Sequence, residues 1–94
     1  MIAKLKGKID TIGVDHLLVD VNGVCYQVFT SMKTLARVGA EGESVILFTE
    51  MIMRNELPYL YGFHDVIEQS CFRLLTTVQG VGSRVALAIL SVLS

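Results

Sequence analysis

The sequence predicts a small β-barrel followed by a pair of helices, mainly β and then α. Three observations carry this. Residues 1–63 alternate apolar and polar side chains with the period of two that strands show. An Asn22-Gly23 pair stands between two apolar runs, the strongest short signal for a hairpin. From Asp65 onward the apolar spacing changes to the 3.6-residue period of helices.

The first strand places Leu5, Gly7, Ile9 and Thr11 on one face and Lys4, Lys6, Lys8 and Asp10 on the other. Gly13-Val14-Asp15 offers a turn. Leu17, Val19 and Val21 then alternate with Leu18, Asp20 and Asn22. After the Asn22-Gly23 turn, Val24, Tyr26 and Val28 form one face of the returning strand. Ser31 is placed to cap a short helix from Met32 to about Val38, with Gly39 ending it. Glu43 to Met53 reads as a long strand and Leu57 to Phe63 as another, joined by a tight connection at Arg54-Asn55-Glu56. Five strands with a helix between the third and fourth match the OB-fold barrel. The interior of so small a barrel is filled by side chains.

Asp65 opens the first long helix. With Glu68 three residues on it suggests a capping box, and both acids suit a helix N-terminus. Ile67, Cys71, Leu74, Leu75 and Val78 share one helical face and are the expected buried stripe. Gln79-Gly80-Val81-Gly82 breaks the helix, and Ser83 to about Leu93 forms another. Apart from Arg84 and Ser91 this last helix is apolar on every side, so it is expected to be buried. Nothing after it in the sequence would cover it. The expectation is a truncated piece of a longer protein, or a helix that packs against another subunit. The expected boundary lies near Phe63-His64, giving a barrel domain at 1–63 and the start of a helical domain at 64–94.

Composition excludes several functions. Among 94 residues, 52% are hydrophobic, too many for a disordered tail. The longest apolar run, Val85 to Leu90, is far below the ~20 residues of a membrane span. No signal-peptide core is present at the start, so no membrane partner and a cytoplasmic location are expected. Cys25 and Cys71 are far apart and lack a second Cys/His cluster. They read as buried or half-buried structural thiols, with no metal site and no cofactor expected. The net charge is −1. Its distribution is more informative than its sum: from Gln69 onward the only charges are Arg73 and Arg84.

The informative segment is Leu74 to Leu90. An apolar Val81 between Gly80 and Gly82, followed by Ala86 and by Ile89-Leu90, is similar to a helix-hairpin-helix motif. Each position has a physical reason. The glycines let backbone approach a ligand closely, Val81 pins the turn to the helices, and Ala86 lets the two helices pack. Backbone N–H groups of Gly82, Ser83 and Arg84, at the positive end of a helix, form a phosphate site. Ser83 adds a hydroxyl and Arg84 a charge. Such a site grips the DNA backbone and reads no bases. A plain helical hairpin whose glycines only cap and turn remains open as the alternative.

Several stretches together extend the resemblance. The start Met1-Ile2-Ala3-Lys4-Leu5-Lys6-Gly7, the hairpin Val19-Asp20-Val21-Asn22-Gly23-Val24-Cys25-Tyr26, the barrel end Leu60-Tyr61-Gly62-Phe63, Phe72-Arg73-Leu74-Leu75, and Gly80 to Ser91 resemble the RuvA family in order along the whole chain. The resemblance implies a non-catalytic DNA-binding subunit that recognises four-way (Holliday) junctions in recombination, repair and the response to DNA damage. It implies a homotetramer or octamer, and it implies partners: the RuvB motor, which hydrolyses ATP to drive branch migration and is contacted through a C-terminal domain absent here, and the RuvC resolvase in the full complex. This sequence has no GxxxxGK[ST] nucleotide loop. The resemblance also implies an acidic pin at the turn between the fourth and fifth strands. Glu56 matches one of the two acids there, whereas Asn55 departs from the acidic pattern.

Without the resemblance, Glu56 would read as an ordinary solvated turn residue. Lys4, Lys6 and Lys8 form a basic stripe whose plainer reading is a solvated edge. Tyr59, Tyr61 and Phe63 offer either a stacking platform, as in single-strand-binding OB modules, or core packing. Three other classes stay in view: a single-strand DNA-binding module, a DNA-holding enzyme such as a glycosylase, and a pure oligomerisation domain.

Overall fold

The computed structural model describes residues 2–93. Its elements are β1 (Lys4–Ile12), β2 (His16–Val21), β3 (Val24–Phe29), α1 (Met32–Arg37), β4 (Ser44–Arg54), β5 (Leu57–Phe63), α2 (Val66–Leu75) and α3 (Ser83–Val92). The strands close a barrel in the order β1-β2-β3-β5-β4, the connectivity of an OB-fold. Every neighbouring pair is antiparallel except β3 and β5. These meet in parallel through Val28↔Leu60 and Phe29↔Tyr61, and this short seam shuts the barrel.

Alternation puts Leu5, Ile9, Leu17, Val19, Val28 and Leu47 inside, all buried. The β2–β3 turn forms as Asn22-Gly23 predicts, with φ of 53° and 93°, the left-handed pair that a type I′ hairpin needs. Gly7 is required for a different reason. A Cβ there would lie 2.3 Å from the Asp20 carbonyl oxygen, so β1 and β2 approach too closely for any side chain. The lysine stripe of β1 is solvated, but it is not an edge, because β1 pairs with both β2 and β4.

α1 begins at Ser31, whose Oγ accepts from Thr34 N at 3.1 Å. It ends at Arg37 with an extended Val38 as its cap. Gly39 is not the left-handed terminator expected; Gly42, at φ 92°, takes that conformation further along the loop.

A second core cluster lies where the helices meet the barrel. Tyr61 and Phe63 of β5 pack with Phe72 of α2 and with Ala86 and Leu90 of α3. The Phe63 and Phe72 ring centroids are 4.9 Å apart, within the range of favourable aromatic pairs. The buried face of α2 therefore departs in part from the predicted stripe, of which only Cys71 and Leu75 pack against this cluster. Phe72 is fully buried and Leu75 half-buried, while Ile67, Leu74 and Val78 of the expected stripe are exposed. α3 likewise buries only Ala86 and Leu90 completely and leaves Val85 and Val92 exposed.

Glu68 explains the rotation of α2. Asp65 does cap the helix, accepting from Glu68 N at 2.8 Å. The Glu68 carboxylate does not return the bond as a capping box requires. It turns inward, where Ser31 Oγ donates to it at 2.7 Å and Thr34 Oγ1 also donates. His64 Nδ1 lies 3.3 Å away on the same carboxylate. A buried carboxylate is tolerable only with such partners, and here the hydroxyl donors come from α1 and its cap. On the opposite side, Arg73 makes a two-pronged contact with Glu50 of β4, and Gln69 Nε2 donates to the Thr49 carbonyl at 3.0 Å.

Candidate nucleic-acid interface

The α2–α3 connection is built by a succession of tight turns. α2 stops at Leu75, and Thr77 N and Val78 N donate to the carbonyls of Leu74 and Leu75, both at 3.1 Å. Val81 N then donates to Val78 O at 3.0 Å, closing a turn around Gln79 and Gly80. Gly80 sits at φ 88°, the left-handed region that favours glycine. Val81 is half-buried against the second core cluster and fastens the turn to the helices.

Gly82 is the N-cap of α3 and is extended, at φ −85° and ψ 179°. No side chain caps this helix. The first backbone bond back into the turn is Ala86 N to Gly82 O, 3.0 Å. The N–H groups of Gly82, Ser83, Arg84 and Val85 consequently make no hydrogen bond among the described residues. Four unused donors at the positive end of a ten-residue helix form an anion-binding geometry. The Val85 N–H is an addition to the three that the sequence suggests. Arg84 is exposed beside these donors and forms no ion pair among the described residues. A Cβ added at Gly82 would meet nothing within 4 Å, so the space beside the N-cap is open.

The second candidate feature is the β4–β5 turn. Arg54 and Leu57 are the last paired residues, leaving Asn55 and Glu56 as a two-residue tip. Both are left-handed, with φ of 53° and 66°. Asparagine tolerates this; glutamate does not, and holding it there costs about 1–2 kcal/mol. Backbone strain of this kind is retained mainly where position matters more than stability. Glu56 is exposed and unpaired among the described residues.

Three other candidates resolve differently. Tyr61 and Phe63 belong to the core and cannot stack on bases; of the three aromatics only Tyr59 is partly accessible. Cys25 is exposed rather than buried, because it lies beside the hairpin turn on the outer surface of β3, and Cys71 is half-buried. Desolvation, reinforced by the carboxylates of Asp10 and Asp20, pushes the Cys25 thiol up. Among the described residues no group of three or more His, Cys, Asp or Glu side chains is arranged to hold a metal. No helix among them is long and apolar enough to cross a membrane.

The sequence of this chain is similar to those of known proteins. The family model described as the RuvA N terminal domain matches residues 1–62. The chain belongs to the RuvA N-terminal domain family. It is 53% identical over all 94 residues to the Holliday junction branch migration complex subunit RuvA of Agrobacterium fabrum, and 54% identical to that of Allorhizobium ampelinum. The protein of the same name from Brucella anthropi is 52% identical over the same span. In each case the whole chain aligns with 46% of the relative, so it spans about half the length of the RuvA proteins that it matches. Their similarity continues past the family domain and through the α2–α3 hairpin.

Proposed function

We propose that this chain is the junction-recognising part of a RuvA-type subunit, which binds four-way DNA and supports branch migration by a RuvB motor during recombination and repair. The observation that carries this reading is the open set of four N–H donors at Gly82–Val85, in a chain more than half identical to RuvA proteins along its length. Gly80 and Val81 shape the turn, Gly82 leaves room for a phosphate, and Ser83 and Arg84 add a hydroxyl and a charge. The hairpin tip at Glu56 supplies the opposite sign. A carboxylate facing phosphates costs affinity and dictates where the strands can run. Asn55 leaves this tip with one acid instead of two.

The subunit itself performs no catalysis in this reading; ATP hydrolysis belongs to RuvB. Residues 1–63 act as the barrel that carries the pin, and residues 64–94 begin the DNA-gripping unit. The functional assembly is a homotetramer or octamer in the cytoplasm, engaging RuvB through a C-terminal domain outside this chain and joined by RuvC in the full complex.

Replacing Glu56 by Gln tests the reading in the full-length protein. The loss of one negative charge per subunit is expected to tighten junction binding severalfold, with the largest effect at low salt. Unchanged or weaker binding in a gel titration would show that Glu56 is no pin.

A further inference from the structure

We infer that Arg54 is a second DNA-backbone contact, held at the base of the acid-tipped hairpin by the ring of Tyr59. The inference rests on the junction-binding reading and adds an attractive group to a tip so far described only as repulsive.

Arg54 ends β4 and faces Leu57 across the turn. Its guanidinium carbon lies 4.3 Å from the centroid of the Tyr59 ring. Tyr59 is a firm support: it packs against the second core cluster, and its ring centroid is 6.3 Å from that of Phe29. Hydrogen bonding to the Tyr59 side chain is the main cause that pushes the Arg54 guanidinium's pKa up, and with five N–H donors in all the group keeps others for a phosphate. Stacking also orders a side chain that would otherwise have to be ordered on binding.

The charge of Arg54 is not neutralised by a carboxylate among the described residues, whereas Arg73 spends its guanidinium on Glu50. Glu56 is only two residues away, yet the two form no ion pair. Asn55 and Glu56 are instead both held left-handed between Arg54 and Leu57. A pre-ordered planar cation with donors left over from Tyr59 suits the geometry of a phosphate. Set beside a carboxylate, it makes the tip bipolar. A phosphate is drawn to the Arg54 side and turned away from Glu56, which fixes the strand path more sharply than repulsion alone.

The test is a fluorescence-anisotropy titration of the full-length protein against a four-way junction, at salt concentrations from roughly 50 to 200 mM. Arg54→Met keeps an apolar stem on Tyr59 and removes the charge. Its expected junction affinity is about tenfold lower, as one charge-assisted phosphate bond disappears. The slope of log K against log salt should fall by about 0.9 for each phosphate no longer neutralised. Arg54→Lys should restore the slope and only part of the affinity, since lysine lacks the planar fork. Wild-type affinity and slope in Arg54→Met would overturn the inference and leave Arg54 as a cover for Tyr59. Weaker binding with an unchanged slope would overturn it too, because it would mark a structural effect. A wild-type protein with no preference for the junction over a linear duplex would defeat the functional reading itself. A wild-type preference combined with an unaffected Arg54→Met would defeat this inference alone.

Discussion

Gly80 and Gly82 look alike in the sequence and do different work. Gly80 is held at φ 88°, so an alanine there is strained whatever the space around it. Gly82 is extended, which any residue adopts, and an added Cβ would touch nothing. Gly80→Ala is therefore expected to lower stability by about 1–2 kcal/mol. Gly82→Ala loses only the preference of an N-cap for glycine over alanine, at most about 1 kcal/mol, and, if the α3 N-terminus holds a phosphate as proposed, its methyl should weaken junction binding roughly tenfold. Thermal melts and junction titrations of the two variants separate these roles; equal melting temperatures would contradict the assignment. The letters alone cannot make this distinction, since φ is set by the turn closed between Val81 and Val78. Asn22-Gly23 is legible because both residue types favour positive φ. Asn55-Glu56 has a similar left-handed backbone but reads only as a tight connection, because glutamate does not advertise such a turn.

At the scale of elements, α2 shows how a polar side chain can outvote an apolar stripe. Its apolar residues lie on more than one side, and the stripe Ile67, Cys71, Leu74, Leu75 and Val78 looks the better core from spacing, yet only Cys71 and Leu75 of it pack against the second core cluster. The packed face instead holds Phe72 and the buried Glu68. That choice needs Ser31 and Thr34, more than thirty residues earlier, to supply donors. No local pattern contains this information. The contrast is measurable by chemical denaturation. Phe72→Ala is expected to cost about 3–5 kcal/mol. Ile67→Ala, at an exposed site, should stay within about 0.5 kcal/mol. A large loss at Ile67 with little at Phe72 would restore the face predicted from spacing. Strands are more legible than this helix because a barrel strand's alternation is decided locally: one face is always the interior. The lysines of β1 do lie on the outer face, as alternation predicts. Their strand nevertheless reads as an edge, because closure depends on β4, far along the chain.

The whole molecule joins the two candidate features through β5. Its first residue, Leu57, borders the Glu56 tip, and its last, Phe63, sits in the cluster shared with α2 and α3. Seven strand residues span roughly 20 Å, so the tip and the helical hairpin are connected by one short, paired element. α2 is tied to β4 through Arg73 and Gln69, and α1 is tied to α3 through Met32 N, which donates to Ser91 Oγ at 2.9 Å. The N–H donors and the acid tip thus have a defined separation, which is what a reader of DNA shape requires and what a nonspecific phosphate grip does not. That separation is invisible in the sequence, where the two features are simply separate stretches of chain. The most direct measurement is a parallel titration of the full-length protein against a four-way junction and a linear duplex of the same sequence, in salt and Mg²⁺ near physiological levels. Much tighter binding to the junction is expected, and Gly82→Ala should weaken it. Equal binding to both, or no dependence on Gly82, would contradict junction recognition through the α3 donors.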